Sequence, residues 1–126
     1  AGHVNVGSHV ILAGMTAVHQ FCTIGQHAFI TGGSLVRKDV PPFVKGAREP
    51  MSYVGINFIG LRRRGFKSEK IREIQNIFRI LYQKSYNNTQ AVRLIEAEME
   101  ATNERDEILQ FIKNSKRGIM KGYFSN

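Results

Sequence analysis

Residues 4–37 read VNVGSHVILAGMTAVHQFCTIGQHAFITGGSLVR, and this stretch decides the fold. Large aliphatic residues occupy every sixth position in it: Val6, Leu12, Val18, Ile24, Ile30 and Val36. The position two residues before each of them holds a small or medium side chain, Cys22 and Ala28 among them. An α-helix would space its apolar residues by three and four, and a half-buried strand by two. A six-residue repeat instead predicts a parallel β-helix, in which short strands stack coil upon coil around a narrow core.

Two other columns of the repeat carry information about corners and function. Glycine follows the aliphatic residue at Gly7 and Gly25, and we expect it to permit the tight turn of the backbone there. His9 and His27 share a column that accepts many residue types, so we expect both on the solvated surface. His19 differs, because it is a large titratable residue in the glycine column. A local pattern broken in this way is typical of functional sites.

The chain divides into three parts by composition. Residues 1–42 are predicted to be the last coils of the β-helix, ended by Pro41 and Pro42, which cannot donate to a strand ladder. Residues 43–60 mix glycine, proline and aromatic residues and predict an irregular connector. Residues 61–126 predict a helical domain of three amphipathic helices. The residues expected to cap these helices at their N-termini are Ser68, Thr89 and Asn103.

Composition excludes several classes of protein. Of the 126 residues 42% are apolar, which is enough for a buried core and excludes a disordered chain. No stretch approaches the roughly 20 apolar residues of a membrane-spanning helix, so we expect no stable membrane insertion. The single cysteine, Cys22, excludes an internal disulfide and fits a reducing cytoplasm; we expect it to be buried packing rather than a nucleophile. The histidines lack nearby carboxylates, so we expect no metal site.

The charge is basic and unevenly distributed. Eighteen Lys and Arg against ten Asp and Glu give a formal net charge of +8, of which residues 61–126 carry most. The densest cluster is Arg62, Arg63 and Arg64. Guanidinium groups suit phosphate, and cations ahead of a helix N-terminus oppose its dipole, so the cluster favours an anion site over a solvated helix start. Nucleic-acid binding is only weakly indicated, because Phe66 alone is aromatic nearby.

Four segments together carry a specific resemblance. LAGMTAVHQFCTIG (12–25), DVPP (39–42), VGIN (54–57) and GLRRRGF (60–66) resemble the C-terminal part of bacterial UDP-N-acetylglucosamine O-acyltransferases, the family that starts lipid A biosynthesis. The resemblance implies a left-handed β-helix with three hexads per coil, a helical domain, and a cytoplasmic homotrimer with active sites between neighbouring subunits. It implies transfer of a fatty acyl chain, which we expect to be 3-hydroxylated, from acyl carrier protein to the 3-hydroxyl of UDP-N-acetylglucosamine. No cofactor, metal or covalent enzyme intermediate is expected.

The resemblance also assigns roles to individual residues. Gly2 matches the glycine whose backbone N–H forms the oxyanion hole of the family. Gly32 matches the position that limits acyl-chain length, where glycine implies a longer chain. Ile59 stands where some members carry Glu, so that polar contact is not carried over. Six residues match substrate-binding positions, the first three in the cleft and the last three at the sugar nucleotide and its phosphates: His3, His19, Gln20, Asn57, Arg63 and Arg64.

The general base of the family does not match any residue of this sequence, because it is a histidine about one coil before His3. We therefore expect the chain to be a fragment of an acyltransferase and to be inactive alone. Two alternatives remain open: a non-catalytic trimerising module that docks an acidic protein, and a hexapeptide acyltransferase that uses coenzyme A. A basic nucleic-acid binder would rest on charge alone.

Overall fold

A computed structural model describes residues 3–83 and 85–122 of the protein. Its first part is a stack of two-residue strands in which β1 pairs in parallel with β4, β2 with β5 and β3 with β6. Asn5 lies opposite Thr23, so one coil contains 18 residues, or three hexads. The predicted fold, the end of a left-handed parallel β-helix followed by helices, is confirmed. The six strands are β1 (Asn5–Val6), β2 (Ile11–Leu12), β3 (Ala17–Val18), β4 (Thr23–Ile24), β5 (Phe29–Ile30) and β6 (Leu35–Val36).

The hexad glycines permit close stacking of coils rather than the turn itself, which corrects the sequence interpretation. The turns use a left-handed residue from the column that contains the histidines: His3, His9, Met15, Phe21, His27 and Gly33, with φ between 50° and 75°. A Cβ added to Gly25 would lie 2.4 Å from the Pro42 nitrogen, and one added to Gly7 would lie 2.6 Å from the Gln26 nitrogen. Only a residue without a side chain fits between coils at those two positions.

The β-helix continues past Pro41 and Pro42, contrary to the prediction that they end strand pairing. Strand β7 (Val44–Ala47) pairs in parallel with β5, and Lys45 lies opposite Phe29. The offset across this pair is 16 residues instead of 18, so the third coil is shorter by two residues. Both prolines are buried at the turn, and pairing resumes beyond them, where backbone N–H donors are again present.

The predicted irregular connector over 43–60 is also wrong. It contains β7 and β8 (Ser52–Ile56), which form an antiparallel pair, and the first half of α1 (Phe58–Arg63). The boundary predicted between residues 60 and 61 therefore falls inside a helix. The strand pairing is non-local and α1 has only six residues, so periodicity does not reveal these elements.

Three further helices confirm the predicted helical region: α2 (Ser68–Leu81), α3 (Asn88–Glu98) and α4 (Asn103–Asn114). Their apolar faces are buried where the stripes predicted, at Ile71, Ile74, Ile77, Phe78, Leu81, Val92, Ile95, Ile108 and Leu109. No helix among the described residues is long and apolar enough to cross a membrane.

The predicted N-caps Ser68, Thr89 and Asn103 are wrong by one or two residues. The observed N-caps are Lys67, Asn87 and Thr102. Asn87 forms a capping box in which its side chain accepts from the Gln90 N–H and the Gln90 side chain accepts from the Asn87 N–H. Neighbouring polar residues compete for such positions, so composition alone does not choose among them.

The segment after α4 returns to the β-helix and binds it at Asp39. The buried Asp39 carboxylate accepts hydrogen bonds from the Thr23 N–H at 2.8 Å and from the Ser115 hydroxyl at 2.6 Å. The Asp39 N–H donates to the carbonyl of Gly118, and the Met120 N–H donates to the carbonyl of Asp39. Residues 115–120 are thereby held against the turn that follows β6.

Candidate functional site

A cleft of about 680 Å³ lies between α1 and the sheet formed by β2, β5 and β7. Its polar lining is mainly cationic or imidazole, and none of its lining residues is a carboxylate. The side chains concerned are Lys45, Arg63, Arg64, His9 and His27, with Asn57 at the base of α1. Apolar walls are provided by Ile11, Phe29, Phe58 and Ile59. The cleft therefore offers an anion-binding end beside a flat apolar surface.

Arg63 and Arg64 lie at the C-terminal end of α1 and are exposed in the cleft. The sequence argument placed the arginine cluster before a helix N-terminus, and this is wrong because α1 was not expected. Cations at a helix C-terminus are favoured by the helix dipole, so the dipole supplies no reason to infer a ligand. The cleft supplies one instead, since both guanidinium groups border an enclosed volume without a carboxylate partner among its lining residues.

Asn57 joins α1 to the β-helix. Its side-chain Nδ2 donates to the His27 carbonyl at 3.0 Å, and its Oδ1 accepts from the Gly60 N–H at 3.2 Å as the N-cap of α1. Only 7% of Asn57 is exposed. The residue fixes the position of α1, and hence of the two arginines, relative to the turn that carries His27.

His27 is buried, which corrects the prediction that it lies on the solvated surface. Its ring stacks on His9 at 4.9 Å and on Phe43 at 5.9 Å, and meets the edge of Phe66 at 5.1 Å. Burial lowers the pKa of His27, with further contributions from His9 and Arg64, so its ring is neutral at pH 7.

Three lining residues were missed as site residues from the sequence: His9, His27 and Lys45. His9 is exposed, as expected, but it borders the cleft. Aromatic rings recurring in the histidine column were the available signal, because that column places His9 and His27 one coil apart. Lys45 gave no local signal, since its position depends on the register of the shortened third coil.

The remaining predicted substrate residues lie at a different turn. His3 stacks on Phe21 with a centroid distance of 5.7 Å, and Gln20 begins the turn that contains Phe21. His19 is exposed, and its Nδ1 lies 3.1 Å from the Arg117 guanidinium. None of the three residues lines the cleft, and strand β4 separates their turn from that of His27. Gly2 lies outside the described residues.

Gly32 and Ile59 occupy accessible positions. Gly32 is exposed at the turn after β5, and a Cβ added there would lie 3.0 Å from the Gly14 carbonyl oxygen. Ile59 is 68% exposed at the rim of the cleft. The prediction that Cys22 is packing is confirmed by its burial, which raises the pKa of the thiol. No group of three metal-ligating side chains occurs in the part of the chain that the structure describes.

Comparison with known proteins places similarity along nearly the whole chain. A family model described as UDP-N-acetylglucosamine O-acyltransferase, domain 2, matches residues 39–120. The acyl-[acyl-carrier-protein]–UDP-N-acetylglucosamine O-acyltransferase of Myxococcus xanthus is 40% identical over 118 residues, which cover 94% of this chain and 46% of the relative. The protein of the same name from Pseudomonas putida is 41% identical over 121 residues, covering 96% and 47%. The chain spans about half the length of these relatives.

Solved structures give the same picture. The UDP-N-acetylglucosamine acyltransferase of Bacteroides fragilis superposes with a TM-score of 0.91 at 43% identity, covering 94% of this chain and 46% of that one. The corresponding protein from Arabidopsis gives a TM-score of 0.86 at 34% identity, covering 94% and 44%. The likeness therefore extends over both the coils and the helices.

Proposed function

The chain belongs to the UDP-N-acetylglucosamine O-acyltransferase family, and from that premise we propose that it forms the C-terminal half of an acyltransferase. The enzyme would move a 3-hydroxyacyl chain from acyl carrier protein to the 3-hydroxyl of UDP-N-acetylglucosamine, the first step of lipid A biosynthesis, without a cofactor. The cleft bordered by Arg63 and Arg64 is the observation that carries this proposal.

The cationic end of the cleft suits a diphosphate. Arg63 and Arg64 each present a planar fork of donors, and Lys45 adds a third positive charge on the opposite wall. The absence of a carboxylate among the lining residues leaves these charges available to a ligand. The apolar wall formed by Phe29 and Ile59 supports a flat ring beside the phosphates, as a nucleotide requires.

The two groups of predicted residues support an assembly in which subunits share a site. His3, His19 and Gln20 lie at one turn of the coil, whereas the arginines border a cleft reached across the next turn. Within one chain these groups do not line a common cleft. A homotrimer with sites between neighbours would let the first group of one subunit face the arginines of another.

The proposed reaction is direct. The sugar 3-hydroxyl oxygen bonds to the thioester carbonyl carbon, a general base takes the hydroxyl proton, and the carrier sulfur leaves and becomes a thiol. Gly2 would donate its backbone N–H to the oxyanion. The base would be a histidine on a preceding coil, so the 126-residue chain alone is expected to be inactive.

Two further features belong to the proposal. Gly32 leaves space beside the coil, which would admit a long acyl chain, so Gly32→Met should shift the enzyme toward shorter acyl donors. The excess positive charge of residues 61–126 would attract acidic acyl carrier protein rather than nucleic acid. The free buried thiol of Cys22 suits the reducing cytoplasm.

The phosphate role is tested by calorimetry with UDP-N-acetylglucosamine. Arg63→Glu should weaken binding by about tenfold to a hundredfold, the usual range for losing hydrogen bonds to a charged group. Arg62→Glu is the matched control, because Arg62 is exposed but does not line the cleft. Equal affinities for the two variants would remove the role. Binding of acyl carrier protein without any nucleotide affinity would favour the docking module instead.

The shared site is tested by mixing two inactive variants of the full-length enzyme. His19→Ala and Arg63→Glu remove different halves of the proposed site. If neighbours share sites, subunits mixed in equal amounts and reassociated should regain about a quarter of wild-type activity, because random pairing restores both halves at one interface in four. If each site lay within one subunit, mixing would restore nothing.

A further inference from the structure

Arg117 approaches the imidazole of His19 from a distant part of the chain. Its terminal guanidinium nitrogen lies 3.1 Å from His19 Nδ1, a contact that links residues 98 positions apart. The backbone around Arg117 is bound to the β-helix on both sides, through the Ser115 hydroxyl and the Gly118 carbonyl to Asp39. The contact is therefore built by the fold and does not depend on a free surface side chain.

Arg117 is itself held in place. Its Nε donates to the Arg37 carbonyl at 3.4 Å, and its own carbonyl accepts from the Lys38 ammonium at 3.1 Å. Arg117 is half-buried, whereas His19 is exposed. The guanidinium is thus the fixed partner in the contact, and it determines the state of the more accessible ring.

The chemistry of the two groups sets the tautomer of His19. A guanidinium carries only donors, so the ring nitrogen that faces it must present a lone pair. Nδ1 also lies 3.2 Å from the Gln20 carbonyl, which would require a proton on the same atom. The charge-assisted bond from Arg117 is shorter and stronger, and water can serve the exposed Gln20 carbonyl. The bond to Arg117 therefore prevails.

We propose that Arg117 is a positioning residue that keeps the proton of His19 on Nε2, so that His19 presents an N–H donor to the substrate. Nothing in the sequence pattern links these residues, since the contact depends on the return of the segment after α4. The identity of the substrate rests on the proposed function; the tautomer does not. The oxygen that accepts from Nε2 would be a polar group of the acyl or sugar substrate.

The tautomer is measured by long-range ¹H–¹⁵N correlation on the histidine-labelled 126-residue chain, with His19→Gln used to assign the His19 signals. Nδ1 of wild-type His19 is expected to have the shift of an unprotonated nitrogen. Arg117→Met should redistribute the proton between Nδ1 and Nε2, and Arg117→Lys should restore part of the bias through its ammonium donors. Lys116→Met is the control, because exposed Lys116 makes no side-chain hydrogen bond in the described part of the chain.

A protonated Nδ1 in the wild type, or the same tautomer in wild type and a folded Arg117→Met, would overturn the inference. If Arg117→Met does not fold, the wild-type and Arg117→Lys spectra decide. In the full-length enzyme Arg117→Met should raise KM by about tenfold, the usual worth of one hydrogen bond, with Lys116→Met unchanged. A correct tautomer without any acyl transfer would reject the proposed function and leave the positioning role standing.

Discussion

Replacing Gly25 by alanine is expected to destabilise the fold by about 3 kcal/mol. The added Cβ would lie 2.4 Å from the Pro42 nitrogen and 2.7 Å from its Cα and Cδ, where ordinary contacts begin at 3.4 Å. The two coils would have to separate by about 1 Å. Both residues are buried and the obstacle is backbone and a proline ring, so no rotamer change relieves it. Overpacking of this kind costs about 1–3 kcal/mol, and the rigid partner places Gly25 at the upper end.

Gly14→Ala is the matched control. No atom lies within 4 Å of a Cβ added there, and Gly14 is not among the residues with positive φ, so its free energy of unfolding should change by no more than about 0.5 kcal/mol. Thermal unfolding followed by circular dichroism compares the two. For a chain of this size about 4 °C accompanies each kcal/mol, so Gly25→Ala should melt about 12 °C below Gly14→Ala. One protein concentration must be used throughout, because association of the chains would raise the melting temperature.

A difference of less than about 2 °C between the two variants would refute the reasoning. It would mean that neighbouring coils separate at little cost, and that glycine in this column is not required by their stacking.

Three further predictions concern the helices and the docked C-terminal segment. Asn87→Ala should lower the free energy of unfolding by about 1 kcal/mol in urea, whereas Thr89→Ala, inside α3, should change it by less than about 0.5 kcal/mol. Burial raises the pKa of Tyr53 from 10 to about 12, so between these values the native phenol keeps a proton that the unfolded chain has lost. Stability should therefore fall as the pH rises from 10 to 12, and less steeply in Tyr53→Phe, as urea unfolding at a series of pH values would record. Ser115→Ala removes a hydrogen bond to the buried Asp39 carboxylate and should cost about 2 kcal/mol by the same measurement.

The parts of the fold that the sequence predicts are those set by local geometry. The six-residue repeat and the apolar stripes follow from the dimensions of a coil and of a helix, so they survive without knowledge of neighbours. The third coil is different, because its offset of 16 residues is fixed by how Pro41 and Pro42 pack beneath the next strand. The six residues of α1 are too few for a periodic signal.

The candidate site divides in the same way. The composition of the chain identified Arg63 and Arg64, whereas the burial of His27 depends on rings brought from elsewhere. Phe43 reaches it from the third coil and Phe66 from the loop before α2. Such contacts are decided by tertiary packing, which the hexad column does not encode. This is why a column that tolerates many residue types was interpreted as solvated.

The contacts of the C-terminal region bear on the choice between an enzyme and a docking module. Asn57 ties α1, and with it the arginines of the cleft, to the turn of His27, and Arg117 binds His19 at another turn. A module that only docked a partner would need its exposed helical surface and nothing at either turn. Here residues from both ends of the helical region instead reach the β-helix at the two places where site residues were predicted. The helical region thus determines the geometry of both halves of the proposed site, and this arrangement favours the enzyme.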